Sequence, residues 1–287
     1  MALFRYRADQ PRIALFVGIF AVDVAVYLTV DNPLLLTAYF VLGVFPKGCI
    51  CAFNHHHQHV ETFRVPVLNR LLEIMYALQT GVTSHTWVLH HSVGHHLDYL
   101  DQKRDQSRWR RKSNVVMGKV EYTVHNGVLA YPRAWRVGAR HKKYRRTFVL
   151  MGLLTLGIVL GLVWHRPMSG VFIFVLAPTV GMFGTVYATY LHHSNRSTNS
   201  GFEACTNVLQ PFYNLCTGNL GFHTAHHYRA GVHWSKLPEL HAKIAERIPA
   251  DSYLAAGFPW KMVDRKVHQP VTGAGTNHPS SPTTQVA

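Results

Sequence analysis

The chain of 287 residues is poor in acidic side chains and in cysteine. It has 14 Asp and Glu against 29 Lys and Arg, and only 4 Cys. None of these cysteines forms a CxxC pair, so the sequence excludes a disulfide-rich scaffold, an iron–sulfur cluster and a cysteine zinc site. Its hydrophobic content of 48% also excludes disorder along the whole length.

Motifs that combine histidine with glutamate are missing as well. The sequence has no HExxH, which excludes the zinc-peptidase mechanism. It has no Glu-x-x-His pair, which excludes a ferritin-like carboxylate bundle. A metal site in this protein is therefore not built on either of these two motifs.

Apolar residues are gathered in four long segments, which are residues 13–30, 34–53, 148–164 and 171–191. A transmembrane helix needs roughly 20 mostly apolar residues. The second segment contains Pro46 and Lys47, and we expect this lysine to extend toward water at the inner end. Because only short connections join segments one and two, and three and four, the sequence predicts an all-α integral membrane protein of two helical hairpins.

The distribution of charge predicts the orientation of these hairpins. Residues 102–147 carry fourteen Lys and Arg against two acids, whereas the two short connections carry one basic residue between them, Arg166. Cytoplasmic loops are the basic ones, so both termini and the long loop are expected in the cytoplasm. This placement explains the net charge of +15 without nucleic acid as a partner. The basic stretch is also suited to anionic lipid headgroups or an acidic protein.

The segments and loops together predict one domain and a tail. The domain covers residues 1–268, with a cytoplasmic cap formed by residues 54–147 and 192–268. Residues 269–287 are rich in Pro, Thr, Ser and Gly and are expected to be disordered.

Histidine is unusually frequent, since its 21 residues exceed the acidic total of 14. Thirteen of them lie in four clusters on the predicted cytoplasmic side: residues 55–59, 90–96, 192–193 and 223–227. Residues four apart share a helix face, as in the pairs His55 with His59 and His91 with His95. The clusters therefore predict a metal site just inside the membrane surface.

An imidazole shell of eight or nine ligands exceeds the needs of one ion and suits two first-row ions, with iron, copper and zinc all open. A membrane metal carrier is the alternative, but transporter sites lie near the bilayer midplane, and these clusters lie outside the apolar segments. The role of the candidates is to hold metal. They are His55, His59, His91, His95, His96, His223, His226 and His227, with His192 or His193 as the ninth.

The clusters at 55–59, 91–96 and 223–227 resemble the three histidine boxes of the membrane fatty acid desaturase superfamily, which also holds alkane hydroxylases and carotenoid oxygenases. The resemblance extends over residues 13–241, and residues 221–227, 231–234 and 237–241 are similar to bacterial members. Two features depart from the acyl-CoA desaturases. The second box is HxxxHH, as in alkane hydroxylases. Acyl-CoA desaturases also have an extra ligand histidine with an asparagine four residues before it. His192 or His193 could be that histidine here, but Ala188 and Thr189 stand at the corresponding asparagine positions.

The resemblance implies a di-iron centre that uses O2 to oxidise a fatty acyl or lipid chain. Desaturation is the first expectation, and the alternatives are hydroxylation of an alkyl chain and oxidative decarboxylation of a free fatty acid to a terminal alkene. The sequence has no CxxCH haem site, so electrons would come from a separate ferredoxin, rubredoxin or cytochrome with its reductase. We expect the location to be a bacterial inner membrane and the docking site to include Arg108, Arg110, Arg111 and Lys112.

Overall fold

The structure, a computed structural model, describes residues 2–255, and its regular secondary structure in that range is helical, without a β-strand. Four helices are long and apolar enough to cross a membrane, with mean hydropathy between 1.8 and 2.3. The four predicted segments are therefore confirmed as helices. The predicted tail at 269–287, together with His268 and His278, lies outside the described residues.

The helical elements follow one another in chain order. They are α1 (Asp9–Thr29), α2 (Pro33–His59), α3 (Pro66–Thr80), a π-helical turn (Val88–Val93), α4 (Lys119–Gly138), α5 (Lys142–His165), α6 (Pro167–Val171), a second π-helical segment (Phe172–Leu176), α7 (Ala177–His193), α8 (Pro211–Thr217), α9 (His223–Tyr228) and α10 (Leu237–Ile244). The segment from α6 to α7 is continuous and makes the fourth span.

Local sequence explains where the second span begins. The side-chain oxygen of Asn32 accepts hydrogen bonds from the backbone N–H groups of Leu34 and Leu35, at 2.9 and 3.2 Å. Pro33 follows in the first position of α2, where no N–H is needed. This cap sharply separates α1 from α2 and makes them a hairpin.

The two helices of the first hairpin run antiparallel. Phe16, early in α1, packs with Ile50 and Phe53, late in α2. At the opposite end, Tyr27 packs with Leu36. The ends of α2 and α7, which carry histidines, lie at one end of the bundle, called the histidine end below.

A buried ion pair joins α1 to α2 inside the bundle. The ammonium of Lys47 donates to Asp23 Oδ2 at 2.7 Å, and the hydroxyl of Tyr39 donates to Asp23 Oδ1 at 2.8 Å. Lys47 is 2% exposed and Asp23 0%. The expectation that Lys47 extends to water is therefore wrong. Its four-carbon stem reaches across to a carboxylate on the partner helix, because an unpaired charge in an apolar bundle is costly.

Polar contacts also join the hairpins at the end opposite the histidines. The Tyr27 hydroxyl donates to the carbonyl of Leu162 at 2.9 Å, and Ser169 donates to the carbonyl of Tyr27 at 3.2 Å. Arg166 pairs with Asp31 at 2.5 Å.

At the histidine end, buried Asp9 accepts from the indole of Trp234 at 2.8 Å and faces the ring of His233. The start of α1 is thus tied to the segment that follows the last histidine cluster.

Candidate metal centre

Helix α2 carries the first histidine cluster beyond the apolar segment. It continues to His59, six residues past the predicted end at residue 53. This continuation places His55 and His59 one turn apart on one face, with their Nε2 atoms 3.0 Å from each other.

The second cluster is carried by the π-helical turn and the residues that follow it. Gly94 is required here, because an added Cβ would lie 2.7 Å from the carbonyl oxygen of His90 and 2.9 Å from that of Leu89. The tight turn brings His96 back toward His91, with 2.9 Å between their Nε2 atoms. His95 points its Nε2 elsewhere, to His193 at 3.2 Å. His91 and His95, which the spacing places on one face, therefore contribute to different groups.

Five imidazoles meet in what we call the first histidine group. Their candidate ligand atoms lie within 4.8 Å of one another. The Nε2 atoms of His55 and His91 are 2.8 Å apart. The members come from all three boxes and are His55, His59, His91, His96 and His226.

The second histidine group lies beside the first. It contains His193 from the end of α7, His223 and His227 from α9, and the thiol of Cys205. The Nε2 atom of His193 is 2.9 Å from that of His223. We include His95 because its Nε2 lies 3.2 Å from the same atom of His193. Short helix α9 thus serves both groups, since His226 faces the first and its neighbour His227 the second.

His192 occupies a different position from His193. Its Nδ1 bonds to the carbonyl oxygen of Thr206 and its Nε2 to the hydroxyl of Tyr213, both at 2.8 Å. Its ring stacks on His223 at 4.1 Å between centroids. Both of its nitrogens are therefore engaged by protein atoms. Of the ten predicted ligand residues, the structure brings together all but His192.

Two residues near the groups carried no signal in the sequence. The carboxylate of Asp105 lies 2.7 Å from His95 Nδ1, and both side chains are buried. Cys205 Sγ lies 4.0 Å from His193 Nδ1. Neither residue stands at a helical spacing from a histidine box, so only the fold reveals them.

Three other histidines, two of them in the first box, point away from the two groups. His56 Nε2 lies 3.1 Å from the carbonyl oxygen of Thr217. His57 contacts the hydroxyl of Thr62 at 2.9 Å and the carboxylate of Glu73 at 3.4 Å. His165 lies at the opposite end of the bundle, beside the hydroxyl of Tyr27. None of these three rings is among the ligands predicted from the sequence.

The donor atoms of both groups fit a metal ion. A neutral imidazole has one N–H and one lone pair, so several Nε2 atoms near 3 Å cannot all donate to each other. His226 Nε2 and both nitrogens of His227 are buried without a protein partner. An ion with nitrogen ligands at about 2.1 Å separates neighbouring ligand atoms by about 3.0 Å at right angles, which is the spacing seen here.

The electrostatics of the groups also favour ligation. Burial, assisted by the neighbouring imidazoles, lowers the pKa of His91, His96, His223, His226 and His227 well below the usual histidine value. These rings are therefore neutral at physiological pH, and neutral imidazole is the form that binds metal.

A cavity of about 670 Å³ leads from the first and second groups into the bundle. It runs between α2, α4 and α7 and is lined by apolar residues such as Val44, Val180 and Leu191. His55, His91 and His223 form part of its wall. A volume in this range suits a small-molecule or lipid-chain ligand.

The family model for fatty acid desaturases matches residues 31–258, which include all four histidine clusters. The chain belongs to the fatty acid desaturase family. Neither the curated proteins nor the solved structures give a match. Membership in the desaturase family implies an oxidoreductase that acts on a lipid chain, and the four apolar helices agree with an integral membrane protein.

Proposed function

We propose that each histidine group of this desaturase-family protein binds one iron ion. The first ion would be held by His55, His59, His91, His96 and His226, and the second by His95, His193, His223 and His227. The observation that carries the proposal is the convergence of nine buried or half-buried imidazoles in two adjacent groups beside an apolar cavity. Imidazole-rich sites with open positions suit first-row ions.

The chemistry assigned to this centre is oxidation of an acyl chain with O2. The iron pair would supply the oxidising power that an unactivated C–H bond requires, which no side chain can provide. The protein's own part is orientation and exclusion of water. Asp105 orients His95, and the burial of the rings keeps water from the centre.

The acyl chain is proposed to lie in the cavity between α2 and α7. Its apolar wall favours methylene groups, and the histidines form part of that wall. Small residues on facing helices, Gly48 in α2 with Gly181 and Gly184 in α7, line the passage. The position of the chain in this cavity decides which carbon meets the centre. Desaturation is the proposed outcome, and hydroxylation or oxidative decarboxylation would follow from a different placement.

We further propose that electrons arrive from a separate acidic carrier of the ferredoxin, rubredoxin or cytochrome type. The chain would lie in a bacterial inner membrane with both termini in the cytoplasm. The exposed side chain of Lys112 and the partly exposed side chain of Arg110, near the histidine end, support this docking site. Complementary charge raises the rate of such encounters.

The test begins with metal analysis of the protein purified in detergent. We expect about two iron ions per chain, and His226→Ala should lower this content because it removes a ligand of the first group. His141→Ala is the matched control, since this ring stacks on Tyr144 outside both groups. A site filled by zinc in the wild-type protein, without iron, would contradict the proposal.

Product analysis separates the three reactions. Gas chromatography of lipids from an expressing host should show new internal double bonds for desaturation. Hydroxy acids or volatile terminal alkenes would instead assign the sister reactions. The same host with the His226→Ala variant should show none of these products.

A further inference from the structure

A second cavity, of about 490 Å³, lies apart from the histidine groups. Its wall contains no histidine. It is formed by α3, α4, α5 and the fourth span, and its lining is largely apolar. We call it the α5 groove after the helix that contributes most of it, through Phe148, Val149, Gly152, Leu153, Thr155, Leu156 and Val159.

The α5 groove has the dimensions of a lipid chain. The lining residues of α5 extend from Phe148 to Val159. At 1.5 Å per residue, these eleven steps cover about 16 Å along the helix axis. The groove therefore follows the apolar part of a membrane-spanning helix for about half the thickness of a bilayer core.

One end of the α5 groove is cationic. Trp135, which lines the groove, is 46% exposed, and the guanidinium of Arg145 lies 3.5 Å from its ring centroid. Arg145 and Lys142 stand seven residues before Gly152 and Val149, so both pairs share one stripe of α5. Within residues 2–255, neither cation pairs with a carboxylate, whereas Arg111, for example, pairs with Glu121.

We propose that the α5 groove binds an anionic phospholipid. One acyl chain lies along α5 between Phe148 and Val159, and the phosphate contacts Arg145 and Lys142. The apolar lining selects a hydrocarbon chain, and the uncompensated cations at its end select a negative headgroup. Trp135 lies at the level where a tryptophan ring meets headgroups in membranes. The site is separate from the cavity proposed for the substrate, and it does not depend on the reaction that the histidine groups perform.

Quenching of tryptophan by brominated lipid chains tests the proposal. The full-length protein is placed in phosphatidylcholine nanodiscs that contain a small fraction of phosphatidylglycerol or phosphatidylcholine with brominated chains. Subtraction of the signal of the Trp135→Phe variant isolates the emission of Trp135. We expect brominated phosphatidylglycerol to quench this emission several-fold more than brominated phosphatidylcholine at equal mole fraction.

Two pairs of variants separate headgroup binding from chain binding. Lys142→Gln with Arg145→Gln should abolish the preference for phosphatidylglycerol, whereas Lys143→Gln with Arg146→Gln, on the same turns of α5, should retain it. Gly152→Leu should lower quenching by both lipids, because its side chain enters the groove beside Thr83. Gly157→Leu is the matched control, since no atom lies within 4 Å of an added Cβ there.

Several outcomes would overturn the proposal. Equal quenching by the two lipids would show that the groove has no headgroup preference. An equal loss with both charge variants would assign the effect to the general positive charge of this surface. Preferential quenching by a brominated free fatty acid, added in place of the phospholipid, would show that the occupant is a free acyl chain.

Discussion

The Nδ1 atom of His95 lies 2.7 Å from the carboxylate of Asp105, with both side chains buried. A carboxylate accepts hydrogen bonds, so it holds the proton on Nδ1 and leaves the lone pair on Nε2. That Nε2 faces His193 in the second histidine group. The same carboxylate oxygen accepts the backbone N–H of Ser107, also at 2.7 Å, which fixes its position. Asp105 thus sets both the tautomer and the direction of His95.

We predict that Asp105→Asn weakens metal binding at the second group. An amide holds the tautomer of His95 less firmly than a carboxylate does. Loss of such a partner typically lowers the metal affinity about 10- to 100-fold. Chelator titration of the purified protein measures the effect. Asp98→Asn is the control, because Asp98 is partly exposed and pairs with Arg104. Equal affinities in both variants would contradict the role of Asp105.

The neighbouring histidines of α7 should respond differently to substitution. His193→Ala is expected to remove about one metal ion per chain, because its Nε2 faces two other ring nitrogens. His192→Ala should keep both ions and lower the thermal stability, because it removes two buried hydrogen bonds, one to the carbonyl of Thr206 and one to the hydroxyl of Tyr213. Metal analysis and thermal unfolding of the two variants, in the same detergent, check this. The reverse pattern would make His192 the ligand.

The ion pair between Asp23 and Lys47 predicts a stability effect far from the centre. Asp23→Ala leaves the Lys47 ammonium buried and unpaired, and breaking a buried pair costs about 3–5 kcal/mol. The double variant Asp23→Leu with Lys47→Met removes both charges and should recover most of the loss. Thermal unfolding in detergent gives the comparison. If the double variant were no more stable than Asp23→Ala, packing rather than charge would explain the loss.

Charge reversal on the basic stretch should slow electron delivery. Lys112→Glu is expected to lower turnover more at low salt than at high salt, because salt screens the attraction to an acidic carrier. Arg110→Glu should act similarly, although Arg110 also lies 4.4 Å from the ring of Trp109. Arg111 is a poor probe, since Glu121 already neutralises it with hydrogen bonds of 2.6 and 2.7 Å. An effect of equal size at both salt concentrations would dismiss docking by charge.

The spans were predictable because their signal is local. Residues 148–164 have no charge, and the structure extends them to Lys142–His165. The predicted second span ended at residue 53, where the hydropathy falls, but α2 continues to His59. Polar residues end an apolar segment without ending a helix, and His55 is buried by other parts of the fold. The length of α2 therefore depended on packing.

The sequence predicted the residues that converge, apart from His192, which does not join them, but it did not predict how they divide into two groups. Spacing placed His91 with His95, whereas the Nε2 of His91 faces His55 and that of His95 faces His193. The π-helical turn and Gly94 determine this separation, and neither gives a periodic pattern. Asp105 contacts His95, ten positions away in the chain, and Cys205 lies near His193, twelve positions away. Neither separation matches a helical repeat that the sequence would reveal.

By itself, the sequence determined the four apolar helices, the side of the bundle to which the histidines belong, and the residue types that could bind metal. These properties follow from composition and short-range spacing, which a helix preserves wherever it packs. Only the tertiary structure decided which ring joins which group, that His193 faces the centre and His192 does not, and that Lys47 pairs with Asp23. Such choices depend on distances between residues that lie up to 98 positions apart in the chain, and those distances arise only when the helices pack together.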